Sequence, residues 1–189
     1  MNISDVRTLI LNEKNISHLK EVEDNSFNIK KLLGTKLTQS QSIKFGNIFQ
    51  TIIKDIVKSK GGEVLTQKFA DVYGVGETKL NKGHKDIDIW FLLDGKMYYF
   101  EAKTNLDLDS EKSKATDTKV EDITQWMKNN YVDYEIYSGV LSCWWDKEPG
   151  LPVKVKNVVF MKEFFEIIGV DISSEEYYHI MKEFGQSLK

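Results

Sequence analysis

The sequence predicts an α/β or α+β domain in which a sheet is flanked by helices. Three observations predict it: a long amphipathic helix, a two-residue hairpin turn between β-prone segments, and a second helix followed by further β-prone segments. The 189 residues include 41% apolar and 29% charged side chains, which is the balance of an ordinary globular chain. Since no repeat or low-complexity linker divides the chain, we expect one domain.

The first long element is a helix predicted over about 40–60. Apolar residues recur there with helical spacing through three turns, and Gly61 and Gly62 mark its end. This apolar stripe consists of Phe45, Ile48, Phe49, Ile52, Ile53, Ile56 and Val57. One face of the helix therefore belongs to the core. Short helices are expected before it, beginning near Ser4 and Ser26.

A β-hairpin follows, formed by the β-prone segments 86–93 and 96–103. Asp94 and Gly95 join the two segments, and this dipeptide is a strong signal for a two-residue turn because both residues tolerate positive φ angles. Other strands are predicted at 64–69, 134–145 and 155–161.

Capping signals locate two later helices. A polar stretch at 104–117 is expected to lead into a helix that begins at Thr118, because Thr118 and Glu121 have the spacing of a capping box. Ser173 and Glu176 have the same spacing near the end of the chain. The predicted order is helix, three strands, helix and strand, with further helices at the C-terminus.

The charges are distributed unevenly along the chain. A net charge of −3 taken alone argues against a nucleic-acid partner. Residues 30–85, however, hold 11 lysines against four carboxylates, whereas residues 104–189 hold 16 acidic and 10 basic side chains. A polyanion can therefore bind one face of this acidic protein, and a merely solvated lysine-rich surface is the alternative.

Other sequence features bear on the cellular compartment. Cys143 is the single cysteine, so no disulfide can form within the chain, and no basic-then-apolar leader or 18-residue apolar run is present. We expect a cytoplasmic protein.

The candidate chemistry lies at the open end of the hairpin. The register counted from the two-residue turn opposes Asp88 to Glu101 and Asp86 to Lys103. Opposed residues share a face of the sheet, so the four ionisable side chains form one patch. Like charges opposed in a partly buried sheet need a cation, and oxygen ligands suit a hard divalent ion such as Mg²⁺. A structural salt-bridge ladder is the alternative.

This hairpin resembles the PD-(D/E)xK nucleases and, among them, the small type II restriction endonucleases. The two motifs that carry the resemblance are Asp86-Ile87-Asp88 and Glu101-Ala102-Lys103. The resemblance covers about residues 40–161 and departs from the family pattern at Lys85, where no proline precedes the first aspartate. It implies a restriction-endonuclease-like core with a central mixed sheet, flanked by helices, in the order αβββαβ. It also implies Mg²⁺-dependent hydrolysis of DNA phosphodiesters.

The resemblance assigns roles residue by residue. It makes Asp88 and Glu101 ligands of Mg²⁺, with the backbone carbonyl of Ala102 as a further candidate ligand. Lys103 would position or polarise the attacking water and offset negative charge in the transition state. Asp86 would hold Lys103 or bind a second ion, and the choice between Asp86 and Asp88 as the main ligand stays open.

Further candidates surround this cluster. The helix at 40–60 offers Asn47 and Gln50, which are amides, where many family members carry an acidic residue. The polar loop at 70–85 and the stretch after the hairpin carry side chains suited to phosphate contacts, although a solvated surface is their alternative. These candidate DNA-binding residues are Lys79, Lys82, His84, Lys85, Lys112, Lys114, Thr116 and Lys119.

The sequence therefore predicts a single nuclease domain. Its catalytic core spans about 40–161, with an N-terminal helical extension at 1–38 and C-terminal helices at 162–189. The expected function is site-specific cleavage of double-stranded DNA by a homodimer, because a two-fold protein matches a palindromic site. A structure-specific endonuclease, such as a junction resolvase or repair nuclease, and a non-catalytic DNA-binding subunit are the alternatives.

Overall fold

A mixed five-stranded sheet flanked by helices forms the centre of the protein, as a computed structural model shows. The structure describes residues 3–20, 30–34, 39–66, 87–148 and 150–187. The helices are α1 (Ile3–Ile10), α2 (Glu13–Lys20), α3 (Lys30–Leu33), α4 (Gln39–Ser59), α5 (Ser110–Asn130), α6 (Met161–Ile167) and α7 (Ser174–Gln186). The strands are β1 (Glu63–Val64), β2 (Ile89–Leu93), β3 (Lys96–Lys103), β4 (Glu135–Ser142) and β5 (Val158–Val159).

Strand order in the sheet follows the chain. β1 and β2 pair antiparallel, as do β2 and β3, whereas β3 with β4 and β4 with β5 pair parallel. The helix α5 connects the parallel strands β3 and β4, which need such a crossover. The predicted α+β class with a central mixed sheet is confirmed.

The hairpin has the register predicted from its turn. Asp94 and Gly95 adopt φ angles of 50° and 73°, as a two-residue turn requires. Leu93 pairs with Lys96, and the ladder continues to Ile89 opposite Phe100. The next position along both strands brings Asp88 beside Glu101.

The two faces of the sheet carry separate hydrophobic clusters. Alternate residues of β2 and β3, such as Phe91 and Phe100, pack toward α4. Their neighbours Trp90 and Tyr99 pack on the opposite face with apolar residues of α5. Glu101 lies two positions after Tyr99, so its side chain is on the α5 face.

The helix α5 begins eight residues earlier than predicted. Asp109 caps its N-terminus by accepting a hydrogen bond of 2.8 Å from the backbone N–H of Lys112. Ser113 and Thr116 are buried and continue the inward stripe of the helix toward its N-terminus. The prediction of a capping box at Thr118 is therefore wrong, because Thr118 lies inside the helix.

Several predicted strands are shorter in the structure. The strand expected at 64–69 ends as a ladder at Val64, although Leu65 N still donates to Trp90 O at 2.8 Å, and residues 67–69 lie outside the described residues. The strand expected at 155–161 is reduced to β5, because Met161 already begins α6.

Helices near the two chain termini pack together on the α4 side. Arg7 of α1 forms an ion pair of 2.9 Å with Glu183 of α7. The predicted capping box is confirmed at Ser173 and Glu176, where the two residues exchange hydrogen bonds at the start of α7. Among the helices that the structure describes, none has the length and apolar character needed to cross a membrane.

Two glycines inside helices give opposite expectations. Glycine costs about 1 kcal/mol relative to alanine in a helix interior. A Cβ atom on Gly46 of α4 would meet nothing within 4 Å, whereas a Cβ atom on Gly185 of α7 would lie 1.9 Å from the backbone oxygen of Leu33. We expect Gly46→Ala to stabilise the fold by up to about 1 kcal/mol and Gly185→Ala to destabilise it by about 2 kcal/mol.

Urea unfolding of the two variants measures both effects. Equal changes in the free energy of unfolding would contradict the assignment of Gly185 to a tight contact between α3 and α7.

Candidate functional site

Three elements bring the predicted motif residues to one edge of the sheet. Because β2 runs antiparallel to β3, the residue just before β2 lies beside the end of β3. Asp88 is the residue just before β2, and the last three residues of β3 are Glu101, Ala102 and Lys103. The parallel strand β4 ends at the same edge, where open α/β sheets commonly bind ligands.

A cleft of about 470 Å³ opens at this edge. One wall is a stripe of α4, and the others are the ends of β3 and β4, the loop after β3 and a loop before β5. The residues that line it are Ser42, Ile43, Gly46, Asn47, Gln50, Asp88, Glu101, Ala102, Lys103, Thr104, Asn105, Leu106, Asp107, Leu108, Trp144, Leu151 and Pro152. A cleft of this size falls in the range of small-ligand sites.

Glu101 is a buried carboxylate held between two ammonium groups. It is 4% exposed. Lys103 Nζ lies 2.8 Å from Oε1 and Lys119 Nζ lies 2.5 Å from Oε2, while the Tyr99 hydroxyl donates to Oε2 at 3.4 Å. Burial works to raise the pKa of Glu101, but the two lysines outweigh it and the pKa is lowered. Glu101 is therefore ionised inside the fold.

The pKa of Asp88 is shifted in the opposite direction. Its Oδ2 accepts a hydrogen bond of 3.1 Å from the backbone N–H of Ala102. Burial and then the negative charge of Glu101 raise the pKa of Asp88 to about 6, and the attraction of the two lysines offsets only part of this. Near neutral pH Asp88 is thus an ionised carboxylate whose burial is only partly offset by the neighbouring ammonium groups.

The oxygen atoms of this cluster fit a hard divalent cation. Mg²⁺ binds proteins through one or two carboxylates and completes its shell with water and substrate phosphate. Asp88 and Glu101 supply the two carboxylates, and each Glu101 oxygen already faces one lysine ammonium, so an ion would share that oxygen or displace the ammonium group. In the part of the chain that the structure describes, no three His, Cys, Asp or Glu side chains gather as a metal site.

Several predicted residues do meet at the cleft. Asp88, Glu101 and Lys103 form the cluster, and the backbone of Ala102 lies between its two strands. The amides Asn47 and Gln50 of α4 line the same cleft. Five predicted residues lie outside the described residues, namely Lys79, Lys82, His84, Lys85 and Asp86.

The four predicted DNA-binding residues after the hairpin separate into two pairs. Lys112 and Lys114 are exposed near the start of α5, where Lys112 pairs with Asp109. Thr116 is buried against the sheet, and Lys119 is 16% exposed and paired with Glu101. Neither Thr116 nor Lys119 lies on an open surface as the prediction required, because α5 begins earlier and turns this face inward.

Sequence reasoning placed Lys119 on the DNA surface and so missed its place beside Glu101. The helical spacing from Thr116 to Val120 and Ile123 was the available signal, since Lys119 lies next to that stripe. Tyr99 was also missed, although its position two residues before Glu101 puts it on the same face.

Comparisons with known proteins add no assignment. No protein-family model matches the chain, and no curated protein matches it either.

Asp88→Asn should stabilise the protein when divalent cations are absent. A carboxylate with a raised pKa in the fold contributes its full stability below about pH 4, and this contribution is lost as the pH rises through about 6. Asn keeps an acceptor for Ala102 N–H but carries no charge. We expect a gain on the order of 2 kcal/mol at pH 8 and little change at pH 4, measured by urea unfolding in EDTA. A loss of stability at pH 8 would contradict this account.

Lys119→Met should act through the buried Glu101. The lowered pKa of Glu101 contributes stability above its unfolded pKa, and this stability is lost as the pH falls through the folded value. Without Lys119 we expect a loss of about 3 kcal/mol at pH 8 that shrinks toward pH 3. The matched control is Lys128→Met in the last turn of the same helix, which is exposed. An equal loss at both pH values would contradict the charge pairing.

Proposed function

We infer that the chain is a Mg²⁺-dependent DNA endonuclease that hydrolyses phosphodiester bonds in the manner of type II restriction enzymes. The observation that carries this proposal is the cluster at the cleft: the carboxylates of Asp88 and Glu101, brought together by the hairpin, beside the cleft-lining Lys103. The order of α4, three strands, α5 and β4 agrees with the core expected for the PD-(D/E)xK resemblance.

The residues divide the work of phosphodiester hydrolysis by position. Asp88 and Glu101 would hold Mg²⁺, with the main chain at Ala102 as a further ligand. When bound, Mg²⁺ neutralises phosphate charge and lowers the pKa of a water molecule. Lys103 lines the cleft, so its ammonium group can leave Glu101 Oε1 to orient the attacking water and offset charge on the phosphate.

Lys119 has a different part in the proposal. Its ammonium group contacts Glu101 Oε2 from α5, while the other oxygen is held by Lys103. Once Lys103 turns toward the phosphate, the ammonium group of Lys119 still lies beside the negatively charged Glu101. The carboxylate therefore stays ionised and in place for the cation.

Features around the cleft support DNA as the substrate. A second depression between α2 and α4 shares Asn47 with the cleft and is lined by Lys14 and Lys44. Lys112 and Lys114 lie exposed near the start of α5. The depression that adjoins the cleft and the start of α5 thus carry lysines suited to contacts with backbone phosphates.

We also propose that the protein is a homodimer and lies in the cytoplasm. One cleft cuts one strand, so two copies related by a two-fold axis would cut both strands of a duplex. The buried free thiol of Cys143 suits a reducing compartment.

A structure-specific endonuclease is the second candidate. The cleft has apolar walls, among them Ile43 and Leu151, that a continuous stacked duplex would not fill. A non-catalytic subunit with a salt-bridge ladder is less well supported. A ladder serves stability, yet the raised pKa of Asp88 marks a carboxylate that costs stability without a cation.

Plasmid cleavage tests the proposal. We expect Mg²⁺-dependent cutting that EDTA abolishes, that Glu101→Gln and Asp88→Asn eliminate, and that Lys103→Met slows by about 10²-fold or more. Lys128→Met should cut at the wild-type rate. Calorimetry should detect Mg²⁺ binding to wild type and to Lys103→Met, and none to Asp88→Asn.

Discrete ends on linear plasmid would favour sequence recognition, whereas cuts confined to four-way junctions or mismatched duplexes would favour structure recognition. Absence of cutting on all these substrates, or full activity in Glu101→Gln, would refute the nuclease proposal.

A further inference from the structure

The cleft is larger than the proposed chemistry needs. A hydrated divalent ion with six waters occupies roughly 180 Å³ at about 30 Å³ for each water, whereas the cleft measures about 470 Å³. Besides the charged cluster it has an extensive apolar lining. These apolar residues are Ile43, Leu106, Leu108, Trp144, Leu151 and Pro152. Leu106 and Trp144 are buried in the core, but a phosphate and an ion alone would leave the exposed parts of the other four residues without a ligand contact.

Gly46 is a second, independent sign of a ligand at the α4 wall. It lies in the interior of α4, where glycine weakens a helix, and beyond its two neighbours and the backbone of α4 itself a Cβ atom there would meet no atom within 4 Å. Packing explains the glycine at position 185 but not at 46. One turn earlier, Ser42 also lines the cleft, and its hydroxyl is buried without a hydrogen-bond partner among the described residues. Both residues indicate a group from outside that approaches the helix.

The polar residues of the α4 wall indicate which kind of ligand group can lie against it. Asn47 and Gln50 present amides, which both donate and accept hydrogen bonds. A group that matches them is flat and apolar on its faces and carries donors and acceptors along its edge. Nucleobases have this combination, and amides are common partners of base edges.

We propose that the cleft binds one nucleobase, that of the nucleotide whose phosphate is held at Glu101 and Lys103. This inference rests on the proposed nuclease function and favours its second candidate, the structure-specific endonuclease. A base within a stacked duplex cannot enter a cleft between α4 and the loop after β3, so it must be unpaired or extruded first. The preferred substrate class is therefore DNA with an unpaired nucleotide at the cut. Ile43, which is 63% exposed, offers apolar surface at the same wall for such an unstacked base.

Binding of a fluorescent nucleotide tests the subsite without any cleavage. The probe is 2-aminopurine deoxynucleoside 5′-monophosphate, titrated with the full chain in Mg²⁺ and followed by its fluorescence. We expect saturable quenching that dAMP reverses. Gly46→Leu should fill the cleft and weaken binding at least 10-fold, whereas Gly46→Ala adds only a methyl group and should weaken it far less.

Two further variants keep the test independent of folding. Lys58→Leu adds similar bulk to an exposed position of α4 outside the cleft and should bind as wild type does. Ile43→Asn changes an exposed residue and should weaken binding without lowering the melting temperature. Equal affinity in wild type and Gly46→Leu, or no saturable binding in wild type, would overturn the subsite.

Cleavage separates this inference from the nuclease proposal. A duplex with one unpaired nucleotide should be cut beside that nucleotide at least 10-fold faster than the matched duplex, and Gly46→Leu should remove the difference. Equal rates on both duplexes would overturn the subsite and leave the nuclease proposal standing. Nucleotide binding that Gly46→Leu removes, in a protein that cuts no DNA, would support the subsite and refute the nuclease.

Discussion

The site depends on keeping the carboxylate of Glu101 ionised inside the fold. An isolated charge at 4% exposure would carry a desolvation cost of several kcal/mol, which is why buried charges occur in pairs. Two ammonium groups meet that demand, one from Lys103 on the same strand and one from Lys119 on α5. The second pair ties the position of the helix to the end of β3. Helix, strand and carboxylate therefore form one electrostatic unit, and a shift in any of them would leave a buried charge without its partner.

The same unit determines the state of Asp88. Because Glu101 takes both lysines, Asp88 retains one hydrogen bond from Ala102 N–H and the more distant attraction of the ammonium groups. Two opposed carboxylates consequently have pKa values shifted in opposite directions. Stability alone would favour a neutral residue at position 88, and the cation site that we propose would give the charge of an aspartate there a use. Both carboxylates line the cleft, where the proposed ion and phosphate would bind.

The hairpin half of this arrangement could be predicted because one turn sets its register. Asp94 and Gly95 both adopt positive φ angles, and counting outward along two strands brings Asp88 to Glu101. The helix half could not be predicted in the same way. The buried face of the first two turns of α5 carries Ser113 and Thr116, whose hydroxyls resemble a polar loop in an apolar pattern. The spacing of Thr116, Val120 and Ile123 indicates which face of the helix is inward, but only tertiary packing decides that Lys119 reaches Glu101.

The α4 wall of the cleft constrains what can bind through the space that a small residue, Gly46, leaves open. Gly46 and Gly185 incur the same intrinsic cost in a helix, but only Gly185 is explained by a protein neighbour, the backbone of Leu33. The space beside Gly46 belongs to the cleft that Glu101 and Lys103 also line. A group lodged against α4 therefore shares one space with the charged cluster. Under the proposed nuclease function, the fit at this wall would decide which phosphodiester reaches the carboxylates, so the geometry of the cleft would couple substrate choice to chemistry.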